Sequence, residues 1–272
     1  MNIAPAAVAL AAAPATRPEK RNIIAVASGK GGVGKTWFSI TLAHALALAG
    51  RKALLFDGDL GLANVDVQLG CTPHRDLGSV LAGEITLAQA ATPNPCGFDI
   101  IAGRSGSGGL ASLGATRIVD LRAELDSVAQ NYDWVVLDLG AGIERTVRLL
   151  AGKSRACLIV TTDEPTAITD AYAFIKMTAL ERLADGIQVV VNMVASQRDG
   201  ERTYATLLRA CREFLKLEPP LAGIVRRDDR VKESIRRQTA LLTRYPNTDA
   251  ACDVEQIARR LDQELGPLPA PP

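Results

Sequence analysis

Residues 29–36 read Gly-Lys-Gly-Gly-Val-Gly-Lys-Thr, a match to G-x-x-x-x-G-K-[ST]. This is the stretch that most restricts how the chain can fold. Consecutive backbone N–H groups converge on phosphate oxygens only where glycines allow the loop to curl inward. Such a loop needs a strand before it and a helix after it. Ile23 to Ala27 is a short apolar run of buried-strand character, and Trp37 to Ala49 has helical character, with Gly50 closing it. The helix start adds its positive end. Lys35 supplies a point charge for the β and γ phosphates, and Thr36 a hydroxyl for Mg²⁺. The expected nucleotide-binding segment is Gly29, Lys30, Gly31, Gly32, Val33, Gly34, Lys35, Thr36 and Trp37.

The pattern continues along the chain. Strands are expected at Lys52–Phe56, Phe98–Ala102, Trp134–Asp138, Ala156–Thr161, Ile187–Asn192 and Leu221–Val225. Short helical turns are expected at Leu77–Leu81 and Leu87–Ala91, and a Gly/Ser loop at Arg104–Gly109. Longer helices are expected at Arg117–Gln130, Pro165–Leu183, Thr203–Phe214, Asp229–Arg237 and Val254–Leu265. Strands alternating with helices imply an α/β fold: one doubly wound, mostly parallel sheet with helices on both faces. No linker divides the 272 residues, so one domain is expected over 21–266. Residues 1–20, rich in Ala, read as a flexible tail, and 267–272 as a Pro-rich tail.

Composition removes several function classes. The net charge of +1 argues against coating nucleic acid or anionic membrane by bulk charge. The five cysteines are scattered, with no C-x-x-C pair, which fits neither a disulfide framework nor a zinc or iron–sulfur site. They read as reduced thiols of a cytoplasmic protein. No apolar run is long enough for a membrane-spanning helix.

Three carboxylates fall at or just after strand ends, where open α/β sheets bind ligands. Asp138 follows Val-Val-Leu, as the magnesium-directing aspartate of a phosphate-loop protein does, and is expected at Mg²⁺ directly or through water. Asp57 and Asp59 follow Leu54-Leu55-Phe56. Lys30 is an extra lysine inside the phosphate loop that cannot easily reach the same phosphates as Lys35, and no task for it is evident within its own subunit.

The sequence Lys30-Gly-Gly-Val-Gly-Lys35-Thr resembles the deviant phosphate loop of the MinD/ParA family of ATPases. The resemblance implies a Mg²⁺- and ATP-dependent homodimer in which Lys30 reaches the partner's nucleotide, in the manner of an arginine finger. It implies that Asp59 orients the attacking water, that Asp57 supports the metal shell, and that Asn192 bonds the adenine edge. Asp57-Gly-Asp-Leu-Gly-Leu-Ala-Asn64, Asp138-Leu-Gly-Ala-Gly-Ile143 and Thr161-Thr-Asp-Glu-Pro-Thr-Ala-Ile-Thr-Asp-Ala-Tyr172 resemble the flagellar-number branch, the FlhG/FleN type. That branch implies control of flagellar number or placement through a protein partner, a flagellar GTPase or regulator.

The chain departs from the family pattern at Leu139, where relatives carry a hydroxyl, at Met193, where they carry Arg, and at Arg226, where they carry Pro. Leu139 implies slow or partner-dependent turnover, and leaves open a scaffold that hydrolyses little. The basic cluster Arg226, Arg227, Arg230, Lys232, Arg236 and Arg237 leaves open a ParA-like positioner on DNA, though a solvated helix face is the favoured reading. A metabolic enzyme on this fold is a third class. The missing paired cysteines count against an iron–sulfur carrier or a nitrogenase-type reductase, and the lack of an added substrate domain counts against an amide synthetase. The stripe Val254, Ile257, Ala258, Leu261 and Leu265, with Asp253, Glu255, Asp262 and Glu264 on its polar side, reads as a docking helix. A basic membrane-targeting helix is not evident, nor is the Gln-Ala-x-x-Leu-Arg segment with which some flagellar members stimulate a GTPase.

Overall fold

Ile23 to Ser28 forms β1, buried on both faces, and its alternating side chains seed two cores. Ile23, Ala25 and Ala27 face one layer, while Ile24 and Val26 face the other. The remaining strands are β2 (Ala53–Gly58), β3 (Thr92–Pro93), β4 (Asp99–Ile101), β5 (Trp134–Ala141), β6 (Ala156–Thr161), β7 (Ile187–Val194) and β8 (Leu221–Arg226). The computed structural model describes residues 22–266 except 60, 62, 104–114, 153 and 182–184. The expected tails at 1–20 and 267–272 and the loop at Arg104–Gly109 lie outside the described residues.

Sheet order is β3-β4-β2-β5-β1-β6-β7-β8, parallel except for the short antiparallel edge pair β3–β4. β1 therefore lies between β5 and β6, with strands on both sides. Every parallel strand ends on the same side, so the segment after β1 emerges at the middle of that edge, where such sheets bind ligands.

One layer holds α3 (Leu77–Leu81), α4 (Leu87–Ala90), α5 (Ala115–Ala129), α6 (Arg145–Gly152), α7 (Pro165–Leu180) and α8 (Gln197–Ala210). The other holds α1 (Lys35–Leu48), α10 (Leu241–Arg244) and α11 (Asp249–Leu265). Two short helices, α2 (Val65–Leu69) and α9 (Asp229–Arg236), complete the set. From Trp37 to Leu46 every residue of α1 is buried, because α11 covers the side away from the sheet. That explains its near-uniform apolar sequence.

Several elements differ from expectation. α2, α6 and α10 were not anticipated; each is too short for a clear helical period. α8 begins at Gln197 because the Ser196 side chain caps it by accepting from Asp199 N, and its last turn, Cys211–Leu215, widens to π-helical geometry. β5 runs past Asp138 to Ala141, still paired with β1 at Ser28.

α11 docks through the expected stripe: Val254, Ile257, Ala258 and Leu261 are buried. Its acidic face needs correction, because two of the four carboxylates point inward. Asp262 accepts from Trp134 Nε1 at 2.9 Å and from Arg51 Nη2 at 2.8 Å. Asp253, buried, accepts from the Arg226 backbone at 2.9 Å and from its guanidinium at 2.9 and 2.8 Å. Both acids answer donors at the sheet face, the indole N–H of Trp134 and the backbone N–H of Arg226. Removing Asp262 would orphan the indole N–H of fully buried Trp134. Asp262→Ala is therefore expected to cost about 1–3 kcal/mol in urea denaturation. Glu264→Ala, which breaks only an exposed pair with Arg260, should cost less than about 0.5 kcal/mol.

Candidate functional site

The phosphate loop leaves β1 at Ser28 and enters α1 at Lys35. Gly32 and Gly34 adopt φ of +81° and +83°, a left-handed geometry that a side chain would strain. Gly34 has a second reason to lack a side chain, because a Cβ there would lie 2.5 Å from Asn192 Nδ2 and 2.7 Å from Met193 Cε. The loop is stapled at both ends. Ser28 Oγ donates to the Lys30 carbonyl at 2.9 Å, and Asn192 Nδ2 donates to the Val33 carbonyl at 2.8 Å. Asn192 thus gives one of its two amide N–H donors to the loop. No acidic residue occupies the first turn of α1, and no side chain caps it, so its leading N–H groups face the loop. Trp37 follows on that first turn; its indole is buried in the core and Nε1 has no hydrogen-bond partner.

Beside the loop lie the ends of β2 and β5, where Asp57 and Asp138 are register partners. Both carboxylates are buried. Lys35 Nζ meets Asp138 Oδ1 at 2.8 Å, and Ser39 Oγ donates to the same oxygen at 2.9 Å. Asp138 Oδ2 is buried with no partner. Asp57 accepts from the backbone N–H of Asp59 at 3.1 Å and from those of Asn64 and Val65 at 3.2 Å. These bonds fix the segment from β2 into α2. Burial, reinforced by Asp138, pushes the Asp57 carboxyl up to about 7, against the opposing pull of those N–H groups and Lys35.

Two buried acids thus share one buried ammonium. An orphaned carboxylate oxygen and excess negative charge beside the Thr36 hydroxyl fit a divalent cation. Among the described residues no three His, Cys, Asp or Glu side chains gather as a metal cage. Mg²⁺ keeps several waters and takes one or two carboxylates plus phosphate, a ligand set that Asp138 and Thr36 fit.

Asp59 lies over Gly140: a Cβ on Gly140 would be 3.5 Å from Asp59 Oδ1. Leu139 turns into the core with Phe56 and Leu137, so it packs the sheet and offers the site nothing polar. Lys30 does have a partner in its own subunit, contrary to expectation. Its Nζ lies 2.9 Å from Glu164 and 2.8 Å from the Thr166 hydroxyl, at the start of α7 and exposed. Arg226 turns away to α11, pairing with Asp249 at 2.7 Å as well as with Asp253. The structure thus brings Lys35, Thr36, Asp57, Asp59 and Asp138 to one strand-end cleft, with Asn192 beneath the loop and Lys30 at its rim. Sequence reasoning missed Ser28 and Ser39. Ser39 stands four residues after Lys35 on α1, a spacing that marks a shared helix face.

The Asp57 shift carries a sign. Its folded carboxyl holds a proton more tightly than the unfolded one. That stabilisation is full below about pH 4 and is lost as pH rises toward about 7. Without nucleotide or magnesium, Asp57→Asn should flatten the fall in stability across this window, by at most ~1.4 kcal/mol per pH unit. Urea midpoints of native and variant protein at pH 5 and pH 8 measure the difference. Parallel slopes would mean Asp57 ionises normally.

Residues 24–242 match the family described as the CobQ/CobB/MinD/ParA nucleotide binding domain. The antiactivator FleN of Pseudomonas aeruginosa is 36% identical over 250 residues, spanning 92% of this chain and 89% of that protein. The flagellum site-determining protein YlxH of Helicobacter pylori is 35% identical over 243 residues, spanning 89% and 82%. The septum site-determining protein MinD of Pyrococcus horikoshii, solved with Mg-ADP, superposes with a TM-score of 0.75 at 25% identity, covering 89% of this chain and 96% of that one.

Proposed function

Because the chain belongs to the CobQ/CobB/MinD/ParA nucleotide-binding family, we propose that it is a nucleotide-switched, dimerising ATPase that controls flagellar number or placement. The observation that carries this reading is the site itself: a stapled phosphate loop with Lys35, Asp138 and Asp59 at one strand-end cleft, in a chain similar to FleN and YlxH. We assign the catalytic domain to 21–266.

The backbone N–H groups of 29–37 cradle the phosphates, and Lys35 exchanges Asp138 for phosphate oxygens. Thr36 and Asp138 hold Mg²⁺, with Asp57 in support. Bound Mg²⁺ supplies charge neutralisation at the phosphates. Asp59 orients the attacking water, a contribution made in the transition state. Asn192, while stapling the loop, stands on the adenine side. Lys30 leaves Glu164 and Thr166 for the partner subunit's nucleotide, which offsets the repulsion between two facing phosphate sites. A symmetric two-fold contact is the simplest way to build this pair. Loss of the γ-phosphate releases it, giving a timed switch.

A protein partner reads the switch, a flagellar GTPase or regulator by similarity. DNA is less favoured as a partner. Of the basic cluster, Arg226, Arg230 and Arg237 are already paired with Asp249, Asp253 and Glu233. α11 is a docked helix, and among the described residues no helix is long and apolar enough to cross a membrane. A cytoplasmic location fits these features. The apolar Leu139 favours a second reading, a nucleotide-binding scaffold of very low turnover, which measured hydrolysis separates from the first.

Asp59→Ala should bind ATP within about 2-fold of the native affinity by calorimetry and lose most of its turnover. On that background, light scattering should show a dimer with ATP and a monomer with ADP. Adding Lys30→Ala should leave a monomer in both. A monomer throughout on the Asp59→Ala background, at concentrations well above the nucleotide Kd, removes the switch. A dimer that persists in ADP or without Lys30 means assembly is constitutive.

A further inference from the structure

Arg148, on α6, is a buried guanidinium that the nucleotide site does not use. Its Nη1 donates to the Ile143 carbonyl, in the segment that follows Asp138. Its Nε and Nη2 donate to Glu181 Oε2 and Oε1 at 3.0 and 2.6 Å, a fork-on-fork pair. Glu181 directly follows the last residue of α7. One side chain therefore joins the segment after β5 to the C-terminal end of α7.

The opposite end of α7 touches the phosphate loop. Lys30 pairs with Glu164 and Thr166 there, and Gly29 abuts the helix so closely that a Cβ would lie 2.1 Å from the Asp170 carbonyl oxygen. The segment held by Arg148 belongs to the site too. Gly140 lies beside Asp59, and Gly142, at φ +109°, donates its N–H to the Ser28 carbonyl at 2.9 Å. α7 is thus gripped by the phosphate loop at one end and, through Arg148, by the segment after Asp138 at the other. A packed helix held at two points moves as a unit, so a shift at either grip is felt at the other.

We propose that Arg148 is a positioning residue that couples residues 140–143 to α7, so that the conformation of α7 sets the rate of hydrolysis while Arg148 never touches the nucleotide. This rests on the ATPase reading above for its kinetic part. The coupling itself does not need turnover.

The test uses the full chain with Arg148→Gln, Glu181→Gln and Arg148→Lys. Both Gln variants should lose ~10-fold in kcat with KM within ~2-fold, and the double variant should be no worse than either single one. Arg148→Lys keeps the charge without the fork and should fall between. In hydrogen exchange, ADP with Mg²⁺ should slow amides at 140–144 and at 176–181 together in native protein. In the Gln variants it should slow only those at 140–144. If 176–181 still responds in the variants, or if kcat is native in both, Arg148 is a packing residue and the proposal fails. Should Arg148→Gln fail to fold, Glu181→Gln, at the more exposed partner, gives the same two readings. Should native protein show no turnover, the ATPase reading fails alone, and the exchange pattern still decides the coupling.

Discussion

Two carboxylates, Asp57 and Asp138, are buried side by side as register partners on adjacent strands, and one buried ammonium, Lys35, stands against them. Burying charge is costly unless it is paired. Much of the surrounding architecture answers that cost. Ser39 on α1 donates to Asp138, three backbone N–H groups donate to Asp57, and the Asp57 carboxyl is nonetheless pushed up to about 7. The imbalance is local and negative, with the leading N–H groups of α1 beside it. A cation carried on a polyphosphate suits such a place better than either group alone.

The same economy of space shapes the loop. Gly29 and Gly34 leave room for the Asp170 carbonyl and for Asn192 with Met193 respectively. Each marks a close approach between two segments, and together they hold the loop after β1 against α7 and β7. α7 is central to this arrangement because its N-terminal end meets the phosphate loop and its C-terminal end meets Arg148.

Much of this was legible in the chain. Ile23–Ala27 before the glycines and the apolar helix after them identified β1, the loop and α1. The positions of Asp57 and Asp59 at the end of β2 followed from the apolar run before them, whereas β5 continues past Asp138 to Ala141. Less legible were contacts between segments distant in sequence. Nothing local says that Asn192 staples Val33, that Arg148 reaches Glu181, or that Lys30 rests on Glu164. Helical period places Asp253 and Asp262 on the polar side of the last helix because it separates apolar from polar residues. It cannot say which polar residues find a buried donor.

The sequence by itself therefore determined the parallel α/β order, the phosphate loop and the residue types of the site. These depend on local periodicity, on glycine's backbone freedom and on charge at strand ends. Only the tertiary structure decided which side chains meet. It placed β1 between β5 and β6, set Asp57 opposite Asp138, and shifted a carboxyl toward neutrality by burial. Register between strands, and the desolvation that follows from it, are properties of packed neighbours far apart in the chain, and no window of residues contains them.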